Sequence, residues 1–297
     1  MKNRNILLLS IALIVGLAFS GLFQQEVQAT ELPTGEPIVV YGANLTADQK
    51  EQVKRLLEVE DTDKEAEVSG ADIAHYIGGD PNSNMFSSVK IIPQDDGYGI
   101  VVDIVSADNI TQVTSEMYSN AMLTAGVENA LVVVAAPKPV TGHSALTGIY
   151  KAYDEGGAEL DKDRMEVANE ELSITTDLAE KSGIDAEKVT ELMTEIKKEI
   201  AEKDPATRED VEEIIKEQLD KLEISLSDED RQLLIDLFEK MRDLNIDFDK
   251  VRDQLEDLAS TIKGKLGDLD IDIDEGFWEK VGNFFKQLID DIIAFFK

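Results

Sequence analysis

The sequence predicts an α+β (or α/β) N-terminal domain followed by an acidic all-α region. Glycine, proline and β-branched runs crowd into the residues before Asp154, whereas apolar positions at helical spacing dominate after it. Charge divides the same way: residues 30–153 hold 18 acidic against 7 basic side chains, and residues 154–297 hold 43 against 20. Helix-start signals then recur through the second half, at Asp185, at Thr207 with Asp210, and at Ser227 with its following acids. The expected organisation is a leader over 1–29, an α/β domain over 30–155, an acidic helical domain over 156–267, and a linker with a terminal helix over 268–297.

In the first domain, Ile38-Val39-Val40-Tyr41 is a short β-prone run broken by Gly42 and Asn44. Thr46 is placed to cap a helix whose apolar positions are Val53, Leu56 and Leu57. Ser88 to Ile92 and Gly99 to Val105 are β-rich and separated by Gln94-Asp95-Asp96-Gly97, which predicts a hairpin. Thr114 and Ser115 start a helix with Met117, Tyr118, Ala121, Met122 and Ala125 inward, and Gly126 ends it. Leu131-Val132-Val133-Val134 is apolar on both faces, as a central covered strand is. After Pro137 and Pro139, Ser144 is placed to cap a helix through Leu146, Ile149 and Tyr153.

The second region reads as successive helices: Arg164 to Ser182 ended by Gly183, Asp185 to about Lys203, Arg208 to Leu222, and one from Ser227 to Leu244 with Leu233, Leu234, Leu237 and Met241 inward. Pro205 breaks the chain between the second and third, and no heptad register survives the breaks. A packed bundle is expected rather than an extended coiled coil.

The N-terminus has the form of a secretory signal peptide. Basic Lys2 and Arg4 precede an apolar run from Ile6 to Phe23, and Val27-Gln28-Ala29 is a small-residue cleavage site. An extracytoplasmic location follows as an expectation, either secreted or held non-covalently at the cell envelope. Losing Lys2, Arg4 and Glu26 takes the formal net charge from −33 to −34. That charge repels nucleic acid, whose binding requires Lys and Arg to displace counterions, so no nucleic-acid partner is expected. The sequence specifies no oligomeric state. With Cys 0, neither a disulfide nor a thiolate can contribute.

A block of sequence carries a family resemblance. It comprises Asn109-Ile110-Thr111-Gln112-Val113-Thr114-Ser115-Glu116-Met117-Tyr118, Thr124-Ala125-Gly126-Val127, Val132-Val133-Val134-Ala135-Ala136-Pro137, and Val140 to Tyr153. This resembles the YpuA-like family of secreted Gram-positive bacterial proteins, a domain of unknown function. The family pattern has Thr-Ala where this chain has His143-Ser144, while Ala145-Leu146-Thr147-Gly148-Ile149 and Lys151-Ala152-Tyr153 fit. The resemblance implies an envelope-related role and no particular chemistry. Thr141, Gly142, Ala145, Leu146, Thr147 and Gly148 are its most distinctive positions, and they are expected to be structural.

Catalytic arrangements fit poorly. Gly142-His143-Ser144-Ala145-Leu146 has Leu146 where a nucleophile elbow needs its second glycine. His75 and His143 are the sole histidines, too few for a zinc centre built on imidazoles. Asp268, Asp270, Asp272 and Asp274 alternate with apolar residues, but neither EF-hand register supplies both the sixth-position glycine and the twelfth-position glutamate. No cofactor is expected, and weak extracellular calcium binding stays open. Acidic pairs are too common to single one out, so a secreted hydrolase acting on cell-wall material through Asp/Glu carboxylates stands as the alternative to a non-enzymatic binding or scaffolding protein.

The sharpest signal is the C-terminal segment. At about 100° per residue, Phe277, Trp278, Val281, Phe284, Phe285, Leu288, Ile289, Ile292, Ile293, Phe295 and Phe296 fall on one side, and Glu279, Lys280, Asn283, Lys286, Gln287, Asp290, Asp291 and Lys297 on the other. Burying each large apolar side chain is worth about 1.5–3 kcal/mol before ordering costs. The expected destinations are the chain's own helical bundle, a membrane surface, or a groove on another cell-envelope component.

Overall fold

The computed structural model describes residues 35–266 apart from 245, 249 and 250. The expected signal peptide, the aspartate run 268–274 and the segment 277–297 all lie outside the described residues. Within them the fold is mixed α+β, with a five-stranded sheet and nine α-helices.

The strands are β1 (Ile38–Gly42), β2 (Lys64–Val68), β3 (Ser88–Pro93), β4 (Ile100–Ile104) and β5 (Ala130–Ala135), arranged β2-β1-β3-β5-β4. β1 runs parallel to β2, and β4 parallel to β5, while β3 lies antiparallel between the two pairs. The expected hairpin between Ser88–Ile92 and Gly99–Val105 therefore does not form: β5 sits between those strands, pairing Ile91 with Val132 on one side and Val102 with Val132 on the other. Its run of apolar residues suits it for an interior place that a polar-faced strand would not tolerate.

Helix α1 (Ala47–Leu56) starts at Thr46, whose hydroxyl accepts from the Gln49 amide while Gln49 reaches back to the Thr46 amide. It covers part of one sheet face, where Val53 and Leu57 pack with Val39, Tyr41 and Ala135. On the opposite face, α2 (Gly70–Ile77), α3 (Ser115–Ala125) and α4 (Ser144–Glu155) close the main core over Val40, Val89, Val132 and Val134. Neither β2 nor α2 has a counterpart among the sequence expectations.

Five helices follow: α5 (Lys162–Ser182), α6 (Ala186–Lys203), α7 (Arg208–Lys221), α8 (Asp228–Asp243) and α9 (Arg252–Leu266). Asp185, Thr207 and Ser227 cap α6, α7 and α8 through their side chains, each accepting from the first helical amides. Their apolar positions form a second core around Leu192, Ile196, Ile215, Leu237, Phe238 and Leu255. Leu123 of α3 belongs to that core, Met165, Ala168 and Leu172 of α5 belong to the main one, and Ile100 packs against both, so the sheet and the helices meet through α3, α5 and β4. Leu234, Leu237 and Met241 of α8 are buried as expected, but Leu233 is 48 % exposed. The inward stripe runs instead through Ile235 and Phe238, and Leu233 lies one helical step outside it.

Candidate functional site

The segment Thr141 to Gly148 runs from the end of the β5–α4 connection into the first turns of α4, and from Ala145 onward it is buried in the main core. Ala145, Leu146 and Thr147 are buried, whereas Thr141 is exposed. Gly142 has φ +106, and a Cβ there would lie 2.8 Å from both Ile110 Cγ2 and the Tyr118 hydroxyl. That hydroxyl donates to the Gly142 carbonyl at 2.7 Å, pinning the turn to α3. Gly148 lets α4 approach β3 and β2, since its Cβ would meet Val89 Cγ2 at 3.3 Å. Ser144 is not the cap: α4 begins at Ser144 itself, the preceding position is His143, and no side chain caps it. The backbone of His143 is already in the helical region (φ −51, ψ −36), so a hydroxyl one residue later lies past the position from which capping works.

His143 Nε2 lies 3.0 Å from Thr176 Oγ1 on α5. Burial lowers its pKa, against the opposing pull of Asp177 and Glu180. His75 is exposed on α2, edge-on to Tyr76. Among the described residues, no group of three His, Asp or Glu side chains is placed to hold a metal ion.

The densest concentration of buried polar chemistry is elsewhere, where α3, α5 and α6 meet. Lys197 of α6 and Glu171 of α5 form an ion pair of 2.6 Å with side-chain exposures of 0 % and 1 %. The ammonium also donates to the Asn120 carbonyl at 2.9 Å and to Asn120 Oδ1 at 3.2 Å. The second oxygen of Glu171 accepts from Thr124 Oγ1 at 2.6 Å. Asn120 completes the circuit by donating to Thr194 Oγ1 at 2.7 Å. Burial pulls the Lys197 pKa down, and the touching carboxylate opposes that pull. Beside the circuit, Arg164 donates to the carbonyls of Thr124 at 2.8 Å and Leu123 at 3.2 Å. Two cations thus meet backbone carbonyls in the C-terminal half of α3, where the helix dipole favours positive charge.

A second constellation centres on Glu195 of α6, whose side chain is 5 % exposed. Lys263 of α9 reaches it at 2.9 Å, Lys198 at 3.4 Å and Lys221 of α7 at 3.5 Å. Burial alone would raise the Glu195 pKa, but the three lysines outweigh it and the net direction is down. Two residues on along α9, Lys265 pairs with Glu116 of α3 at 2.6 Å. These contacts clamp the C-terminal end of α9 onto α6 and α3.

Both constellations join helices. In the first, each of the two charges is in direct contact with the other and with further hydrogen-bond partners, which is how a charge survives burial. Sequence reasoning missed them because Glu171, Lys197 and Asn120 lie in three separate helices and share no motif. The one available signal was weak: Lys197 falls on the apolar side of α6, in phase with Met193 and Ile200. Among the described residues, no helix is long and apolar enough to cross a membrane.

A family profile described as a protein of unknown function (DUF1002) matches residues 41–258. The uncharacterized protein YpuA of Bacillus subtilis (strain 168) is 34 % identical over 285 residues, which cover 93 % of this chain and 95 % of that protein. No solved structure matches the chain.

Proposed function

The chain belongs to the DUF1002 family, which includes YpuA-like proteins, and on that footing we propose that it is an exported, cell-envelope-associated protein of binding or scaffolding type rather than an enzyme. In this reading the residues 30–155 form the α/β head and the acidic helices of 156–267 form the body of the module. The segment 277–297 docks it to a membrane surface or to another envelope component.

The observation that carries the reading is the separation of eleven apolar side chains from eight polar ones around 277–297, behind an N-terminus of signal-peptide form. The buried charges Lys197, Glu171, Arg164 and Glu195 support it, because each is committed to holding helices together. A general acid or base must instead be free to reach a substrate atom.

Fractionating cells that make the intact protein among medium, wall and membrane tests the proposal. The native chain is expected in the wall or membrane fraction, and Phe285→Asp with Ile289→Asp should move it to the medium. Equal distribution of the two would remove the docking role, and turnover of purified cell wall by the mature protein would replace the reading with the hydrolase.

A further inference from the structure

The sheet face that α1 covers is only partly covered. Strand alternation puts Ile92 of β3, Leu131 of β5 and Val101 of β4 on that face, and the register sets them side by side, with Ile92 opposite Leu131 and Leu131 opposite Val101. Two residues on from Asp103, Val105 extends the strip along β4 and is 37 % exposed. Ile92, Leu131 and Val101 are half-buried, and none of the four belongs to the main core, the helical core or the α1 core. Lys90, the cation on this face, is spent on Asp63 at 2.8 Å and on the Glu58 carbonyl. Asp103 is the charged side chain within the strip. In a chain of net charge −33, this is an apolar, weakly charged band along an edge strand.

The described chain ends within reach of it. Helix α9 starts beside the beginning of β4, where Gln254 lies 3.7 Å from the Cβ position of Gly99. It ends beside the beginning of α3, where Lys265 meets Glu116. Leu266 therefore leaves the described fold beside α3, on the sheet face opposite the strip, and the chain must round the outermost strand, β4, to reach it. The ten residues 267–276 can span up to about 33–36 Å before Phe277, more than the thickness of a strand edge. As a helix, 277–297 would measure about 31 Å, against about 17 Å for the five residues of β4. The strip can seat roughly half of that apolar side.

We propose that the outer strip Ile92–Leu131–Val101–Val105 is the docking surface for residues 277–297 of the same chain when the protein is free in solution. This goes beyond the envelope-docking reading and does not depend on it. It makes the sheet edge, not the helical bundle, the resting place of the aromatic segment.

The full mature chain offers two readouts, since it has no cysteine and Trp278 is its one tryptophan. Val101→Cys introduces a sole thiol within the strip. Its reaction with a small maleimide should be about tenfold slower than in the same chain carrying Phe285→Asp and Ile289→Asp, the protection that a docked state favoured about ten to one confers. Leu131→Asp should shift Trp278 emission to the red, and Val105→Lys serves the same purpose should Leu131→Asp unfold the sheet. Equal labelling rates with and without the segment substitutions, or Trp278 emission indifferent to both strip variants, would overturn the proposal. Protection that grows with protein concentration would assign the strip to a second copy and also overturn it. Vesicles of phosphatidylglycerol and phosphatidylcholine separate this from the anchoring idea. If anchoring alone is right, Val101→Cys is unprotected in solution and vesicles still move Trp278 to the blue. If docking alone is right, the thiol is protected and vesicles change nothing.

Discussion

Lys197 Nζ lies 2.6 Å from Glu171 Oε1, and neither side chain reaches solvent. Such a pair adds little net stability over a well-packed apolar one, because both ions are taken out of water to make it. It does make each partner dependent on the other, and it locks α6 to α5 in one register.

Removing one member should therefore be severe. Lys197→Met leaves Glu171 as an uncompensated buried charge and is expected to cost about 3–5 kcal/mol in urea unfolding. The double variant Lys197→Met/Glu171→Leu should recover most of that loss. A double variant as unstable as the single one would mean that the circuit through Asn120 and Thr124 matters more than the charge pair.

Gly142→Ala is expected to cost roughly 2–4 kcal/mol, combining a strained positive φ with overpacking against Ile110 and the Tyr118 hydroxyl. Gly157→Ala is the control, since its φ is also positive and its Cβ would meet nothing within 4 Å. Thermal unfolding of the two variants separates strain from crowding.

The clamp on α9 should be adjustable. Replacing Lys263 and Lys265 by glutamine removes the contacts to Glu195 and Glu116. At roughly 0.5–1 kcal/mol for each partly exposed pair, amide exchange in α9 is expected to rise about two- to fivefold per pair, with α5 unaffected. In the parent protein the same helix should exchange faster as salt is added.

His143 supplies a pH dependence of known sign. Because burial lowers its folded pKa, the unfolded chain takes up its proton more readily than the native one. The contribution is present above the ordinary histidine value of about 6.5 and is lost as the pH falls below it. His143→Gln should show a shallower fall in unfolding free energy than the parent between about pH 6.5 and 5, measured by urea titration at each pH.

Much of this architecture could be read from local chemistry. The caps at Thr46, Thr114, Asp185, Thr207 and Ser227 act within three residues of themselves, so sequence spacing suffices to find them. Strand β2 was invisible because Lys64-Glu65-Ala66-Glu67-Val68 is an edge strand with charged residues at three of its five positions. Its partners for Lys64 and Glu65 include Glu155 and Lys54, from other elements. The hairpin reading failed for a non-local reason: adjacency along the chain favoured β3 with β4, and a strand 30 residues beyond β4 (Val101 to Leu131) and 41 beyond β3 (Ile91 to Val132) pairs with both. The helix-joining circuits were equally non-local, and Lys197 reads as a surface residue until Glu171 is brought to it.

The insertion of β5 between β3 and β4 also dictates an order of events. β3 can pair with β1, but β4 has no strand neighbour until residues 130–135 arrive, and β5 follows α3, the helix that also completes the circuit with Lys197. The sheet cannot close from a nearby turn outward, as a meander does. It must wait for a loop spanning α3 to shut, so assembly of the head should be slow relative to its size and rate-limited by that closure.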